Sequence, residues 1–476
     1  MSIDMMWSNL FESPGGLGGA IWGYVDEIFM LPVPKAGTSW WKEFARTAKP
    51  EEFQGNCIGY GEWGIVDIWR RKKPEFWSTK KAYSPVRLLQ EKVAEFTPGQ
   101  RITLPVYNRF DHTILDEIKA YSIYDGVRKE IKLQAIEPHR KGKFEIAGDN
   151  WKTGEKLTVE FLNNDNLLID VYHIILGQEK INFPCTVYQG VLNVEESNTQ
   201  IIVKGNGFEV PFCKETGLIC KAKSGNLTLI EKGPFLNMDV NLNRLSGAEV
   251  RGGARKYIAS DTDWKKTDFS YKQKDGNICV FIAGFYGNIR LDIQVCITPK
   301  GEIIFDYITY GEPNGYVRES GLKFYLAGVI ENLQWKRKGY WGYYLAGDFA
   351  GSEGEAPFYS NQQAKYREEP TQTWQLDTHN YFYWADAGAG NSRPLTQAAK
   401  GMKENVYAYT LITSDKRGFS VVSADASVAC RTNRLSNEQL TLYTNNCWDY
   451  PEIAWGNFCK NIENNPCYGR ITLILF

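Results

Sequence analysis

No apolar run in the sequence approaches the roughly 20 residues that a membrane-spanning helix needs. Basic charge is not in excess either: 55 Lys and Arg stand against 56 Asp and Glu, a formal charge of −1. Without a positive field nothing holds a polyphosphate backbone, and nucleic acid is not an expected partner. Histidine and methionine are scarce, at 4 and 6. His112, His139, His173 and His379 are isolated in sequence, and each reads as a surface or packing residue. The ten cysteines (Cys57, Cys185, Cys213, Cys220, Cys279, Cys296, Cys430, Cys447, Cys459 and Cys467) include no C-x-x-C and no Cys/His pairing at zinc spacing. They read as buried thiols, with one disulfide among Cys447, Cys459 and Cys467 open in an oxidising compartment and no pairing selected. The opening Met1-Ser2-Ile3-Asp4-Met5-Met6-Trp7 has an acid where a signal peptide carries basic residues, so no export signal is expected. The compartment stays undetermined, with the cytoplasm as the default.

What is present is aromatic. Phe, Tyr and Trp make up 14% of 476 residues, and such rings suit strands or sites that stack a planar or pyranose face. At roughly 150 residues per domain the length gives a prior of about three domains, and 43% hydrophobic with 23% charged residues is ordinary globular usage. Residues 1–84 have α/β character. Asp4 to Phe11 reads as a short helix and Gly19-Ala20-Ile21-Trp22 as a short buried strand. A second helix around Glu75 to Tyr83 is stopped by Ser84-Pro85, because proline disfavours helical geometry in the residue before it. From 85 the pattern alternates, as in Arg101 to Val106, Ile118 to Tyr124 and Leu157 to Phe161, which reads as an immunoglobulin-like sandwich over 85–192. Ile201 to Lys204, Ile278 to Ile282 and Ile303 to Ile308 carry the same alternation through 193–476, which reads as one large β-sandwich. The expected class is therefore mainly β.

Two stretches concentrate the chemistry. Gly18-Gly19-Ala20-Ile21-Trp22-Gly23-Tyr24-Val25-Asp26-Glu27 sets Trp22 where an indole offers a platform for the apolar face of a sugar, the rival reading being a core Trp. Tyr60-Gly61-Glu62-Trp63-Gly64-Ile65-Val66-Asp67-Ile68-Trp69-Arg70-Arg71-Lys72-Lys73-Pro74 pairs close-approach glycines with a basic run that reads as a solvated face. Together they resemble glycoside hydrolase family 2, in its β-galactosidase branch. That family closes a (β/α)8 barrel with Gly-Gly-x-x-Trp-x-x-x-Asp, matched by Gly18, Gly19, Trp22 and Asp26. Gly64-Ile65-Val66 with Arg70 and Pro74 follow, then Lys80-Lys81-Ala82-Tyr83-Ser84-Pro85 and Tyr107-Asn108-Arg109-Phe110-Asp111. Trp335, Gly339 and Tyr344 match a later motif in part, with Tyr340 and Gly342 in place of its Pro and Glu.

The resemblance implies that residues 1–84 are the last strand and helix of an incomplete TIM barrel, and that 193–476 correspond to the galactosidase small chain. It implies retaining hydrolysis of terminal β-galactosides in an intact enzyme, with carbohydrate as the partner. Such hydrolysis needs two carboxyl groups about 5–5.5 Å apart, and the family carries both on barrel strands that precede the matched region. Asp26, Glu27 and Glu62 on or beside the last strand lack the opposing wall, so no catalytic residue is assigned here. Substrate-binding roles fall to Trp22, to its structural neighbour Asp26, and to Trp448 in Asn445-Asn446-Cys447-Trp448-Asp449-Tyr450-Pro451, with Trp455 a rival. The family's magnesium ligands lie upstream. Its sodium site takes a carbonyl corresponding to Tyr60 and an Asn replaced here by Trp63, whose indole has no lone pair to offer, so no metal or cofactor is expected from this chain. Alone, the chain is expected not to hydrolyse a glycoside. The alternatives are a complementing subunit of a split enzyme, whose partner carries the rest of the barrel, and a non-catalytic carbohydrate-binding or structural sandwich protein.

Overall fold

A computed structural model describes residues 3–30, 57–61, 64–67, 69–178, 188–241, 255–257, 259–311, 315–338, 351–357, 403–434, 439–448, 460–462 and 467–476. The protein is mainly β, with its strands gathered into sandwich sheets. The described residues cluster into two compact units, one drawn from 1–27 and 63–182, the other from 183–338 and 352–476.

In the first unit the helix Ile3–Glu12 and the helix Pro74–Ala82 accompany a small sandwich. Pro74 opens its helix at the first turn, where the missing N–H costs no hydrogen bond. A three-stranded sheet (Val86–Leu88, Ile102–Asn108, Lys141–Ile146) faces a five-stranded one made of Lys92–Val93, Leu168–Leu176, Lys156–Leu162, Lys119–Tyr124 and Val127–Ile131. Alternation decides the faces: Ile102, Leu104 and Val106 turn inward with Phe144, Leu157, Val159, Phe161 and Ile174. Each such side chain withdrawn from water contributes about 1.5–3 kcal/mol. The first helix is held to the sandwich by Arg109, whose guanidinium lies 4.5 Å from the Phe11 ring centroid, and by His139, stacked on Phe11 at 5.1 Å. His139 is thus a packing residue.

The second unit is a two-sheet sandwich. One sheet runs Asn193–Glu196, Gln200–Gly205, Phe208–Cys213, Ile219–Ser224, Leu227–Asn241, Gly315–Ala327, Gln439–Trp448 and Ala429–Arg434. The other runs Trp264–Lys274, Asn277–Tyr286, Ile289–Ile297, Glu302–Tyr310, Cys467–Leu475, Gly418–Val422, Val406–Thr413, Ile330–Arg337 and Glu353–Pro357. Phe305 of the second sheet meets Phe324 of the first at 5.2 Å, which locates the core between them. Leu236, Leu322, Leu326, Leu440 and Leu442 line that side and are fully buried.

Three expectations change. Residues 19–22 form no strand ladder; the chain first pairs at Val25, which bridges Val66 in parallel. A strand needs a neighbour to take up its N–H and C=O groups, and among the described residues the 64–66 segment meets the chain only from Gly23 onward. The basic run is a solvated face only in part: Arg70 and Lys72 are exposed, whereas Lys73 is buried against Asp26 and Arg71 Nε lies 2.6 Å from Asp67 Oδ2. Among the described residues a disulfide joins Cys279 and Cys296, which lie directly opposite each other on adjacent antiparallel strands. Spacing along the chain does not reveal such a pair, because strand register brings it together. Cys459 lies outside the described residues, as do Gly339, Tyr340, Gly342, Tyr344, His379 and Trp455.

Candidate functional site

Trp22 stands on the first unit with 76% of its surface exposed. Just after it the chain is pinned residue by residue to the 64–73 segment: Ile65 N–H donates to Gly23 O at 3.2 Å, Val66 N–H to Tyr24 O at 3.0 Å, and Asp26 N–H to Val66 O at 3.0 Å. Asp26 is buried, and its Oδ1 accepts from Gly64 N–H at 2.9 Å and from Lys73 Nζ at 2.7 Å. Burial outweighs Lys73 and raises its pKa to about 6. Only glycine fits at 64, since a Cβ there would lie 2.1 Å from the Asp26 nitrogen. Asp26 therefore closes the loop that follows Trp22, and its carboxylate faces Lys73 and Gly64. The side chains of Glu27, Tyr60, Glu62 and Trp63 lie outside the described residues.

Trp448 belongs to the second unit, at the end of the strand Gln439–Trp448 and directly across from Glu319. Register defines what shares that face. Phe235 and Asn237 align with Lys323 and Gly321; Gly321 aligns with Asn445 and Lys323 with Tyr443; Tyr443 aligns with Arg431. The opposite face of these strands is the apolar core, so the polar and aromatic residues are segregated on the outer side. Arg431 grips Glu319 bidentately, Nε to Oε1 at 2.6 Å and Nη2 to Oε2 at 2.7 Å, with its guanidinium carbon 3.5 Å from the Tyr443 ring centroid. Asn237 Nδ2 donates to Glu319 Oε2 at 3.0 Å and to Asn445 Oδ1 at 2.9 Å. That second bond crosses the intervening strand at Gly321, where no side chain stands in the way. Beside it Lys323 Nζ lies 2.7 Å from Asp261 Oδ1, and Tyr325 OH donates to Asp261 Oδ2. Burial and the Asp261 carboxylate push the Tyr325 phenol well up.

Glu319, Arg431, Asn237 and Asn445 are buried, whereas Tyr443 and Trp448 are half-buried. Sequence reasoning picked Trp448 but missed the other five, because they are scattered over 208 positions and only sheet register assembles them. No group of three or more metal-ligating side chains occurs among the described residues.

Fold and site together define a mainly β sandwich protein with an exposed indole on one unit and a hydrogen-bonded polar-aromatic face on the other. No family model matches the chain. It is 24% identical over 373 residues to a β-galactosidase of Streptococcus thermophilus, over 71% of this chain and 33% of that protein. The chain thus spans about a third of the curated relative it matches, and the relationship is a distant, glycosidase-like one. Among solved structures it is similar to a putative aldose 1-epimerase from Escherichia coli K12 (8% identity, TM-score 0.30, 60% of this chain, 99% of that one). It is also similar to an α-mannosidase from Enterococcus faecalis V583 (9%, TM-score 0.29, 82% of this chain, 43% of that one).

Proposed function

We propose that this chain is the C-terminal portion of a retaining β-galactosidase-like glycoside hydrolase of family 2, contributing the end of the barrel and two sandwich domains. The observation that carries the reading is the 373-residue likeness to a β-galactosidase, joined to the ordered motif from Gly18 to Asp111. In the intact enzyme Trp22 stacks on the apolar face of the galactoside, Asp26 holds the adjoining loop, and Trp448 supplies a second aromatic. Neither the nucleophile nor the acid/base comes from this chain. An aromatic platform orients a sugar, and orientation accelerates a reaction only when a reacting group is present to be oriented. Titrating the chain with isopropyl β-D-thiogalactoside tests the reading: Trp22→Ala should weaken binding at least tenfold. Binding unaffected by both Trp22→Ala and Trp448→Ala would contradict it.

One observation favours a complementing-subunit form of the same reading. Met5, Met6, Leu10, Leu17, Trp22 and Tyr24 are all exposed on the first unit, and an apolar set of this kind is what a covering partner buries. Co-purification of a chain bearing barrel strands and both carboxylates is the expected result, and recovery of the chain alone from its native source would contradict it.

A further inference from the structure

We propose that Asn446 is a positioning residue for Trp448: its bulge turns the indole away from the inter-sheet core and onto the Glu319 face. The proposal rests on the reading of Trp448 as a sugar platform only for its consequence in binding; the register itself stands on geometry.

Side chains alternate along a strand. Tyr443 packs under Arg431 and Asn445 bonds Asn237, so both lie on the polar face. Unbroken alternation would bring residue 447 to that face and send residue 448 into the core. The ladder instead shifts between Gly321↔Asn445 and Ser320↔Cys447, leaving Asn446 unpaired, and Trp448 then aligns with Glu319. A one-residue insertion of this kind reverses the facing of everything beyond it.

The bulge is held from the other sheet. Tyr307 OH donates to Asn446 Oδ1 at 2.8 Å, and Asn446 Nδ2 donates to Arg470 O at 3.0 Å. Tyr307 is buried and its phenol is pushed far up by burial, so it remains a donor across the physiological range. An asparagine suits the position because its amide both accepts and donates.

The test uses the full chain labelled with 5-fluorotryptophan, with the Trp448 19F resonance assigned through Trp448→Phe and isopropyl β-D-thiogalactoside as the probe. Deleting Asn446 should restore plain alternation, move the Trp448 resonance to a position without a solvent-isotope shift, and reduce galactoside affinity at least tenfold. Asn446→Ala and Tyr307→Phe, which keep chain length, should broaden or displace the same resonance while leaving the other tryptophan resonances in place. These two decide the matter if the deletion variant does not fold. An unchanged Trp448 resonance in all variants that fold would overturn the proposal. Displacement of that resonance with no galactoside response in the unsubstituted chain would support the register claim and contradict the sugar role alone.

Discussion

Lys81 Nζ lies 2.7 Å from Asp170 Oδ1, joining the helix Pro74–Ala82 to the five-stranded sheet of the small sandwich. The ammonium also donates to Val171 O at 2.8 Å and sits 3.3 Å above the Tyr172 ring. Both partners are buried, so removing either strands the other charge. Lys81→Met or Asp170→Leu alone is expected to cost about 3–5 kcal/mol, and the double variant much less, because a buried pair replaced by apolar groups is often neutral. Urea unfolding of the three variants checks this.

The same lysine gives a pH signature. Burial pushes its pKa down to about 8 from 10.5. Between those values the unfolded chain binds more protons than the folded one, so stability should rise with pH over that window. Asp26 behaves oppositely: raised from 3.8 to about 6, it holds a proton in the folded state that the unfolded chain has released, so stability should fall as pH rises from 3.8 to 6. Melting temperatures against pH should show both slopes, and Asp26→Asn should flatten only the acidic one.

Much of this was legible beforehand in the sequence. The helices Ile3–Glu12 and Pro74–Ala82 follow from local pattern and proline placement, and strands such as Ile102–Asn108 and Glu302–Tyr310 from strict alternation. Trp22 and Trp448 stood out as aromatics beside glycine or in a polar loop. What stayed hidden depends on register. Glu319 looks like any surface glutamate until Arg431, 112 positions away, is placed two strands across from it. Lys73 looks solvated until Asp26, 47 positions earlier, is folded against it.

Gly321 lets two amides meet across a strand. An added Cβ would lie 1.9 Å from Thr444 O, so Gly321→Ala must push the strands apart. It is expected to cost about 1–3 kcal/mol, the usual range for overpacking. It should also break the Asn237–Asn445 bond, read as loss of protection of those side-chain amides in NMR hydrogen exchange.

Arg431→Lys keeps the charge but loses the planar fork and the stacking on Tyr443. The expected loss is about 1.5–3 kcal/mol, that of a hydrogen bond to a charged group, measured by denaturant unfolding. Destabilisation smaller than 0.5 kcal/mol (~0.5, the scatter of surface substitutions) would show that the Glu319 face is not a tightly built one.

Cys279–Cys296 closes a loop with a sequence separation of 17. Constraint of the unfolded chain by a loop of that length is worth about 3 kcal/mol. Cys279→Ser/Cys296→Ser, or reductant added to the unsubstituted chain, should lower the unfolding midpoint correspondingly.

The most direct measurement is turnover of o-nitrophenyl β-D-galactopyranoside by the purified chain. A rate no higher than that of the buffer is expected on the proposed reading, in which the carboxyl pair is supplied from outside this chain. Release of nitrophenol that disappears on substituting a carboxylate within residues 1–476 would contradict it.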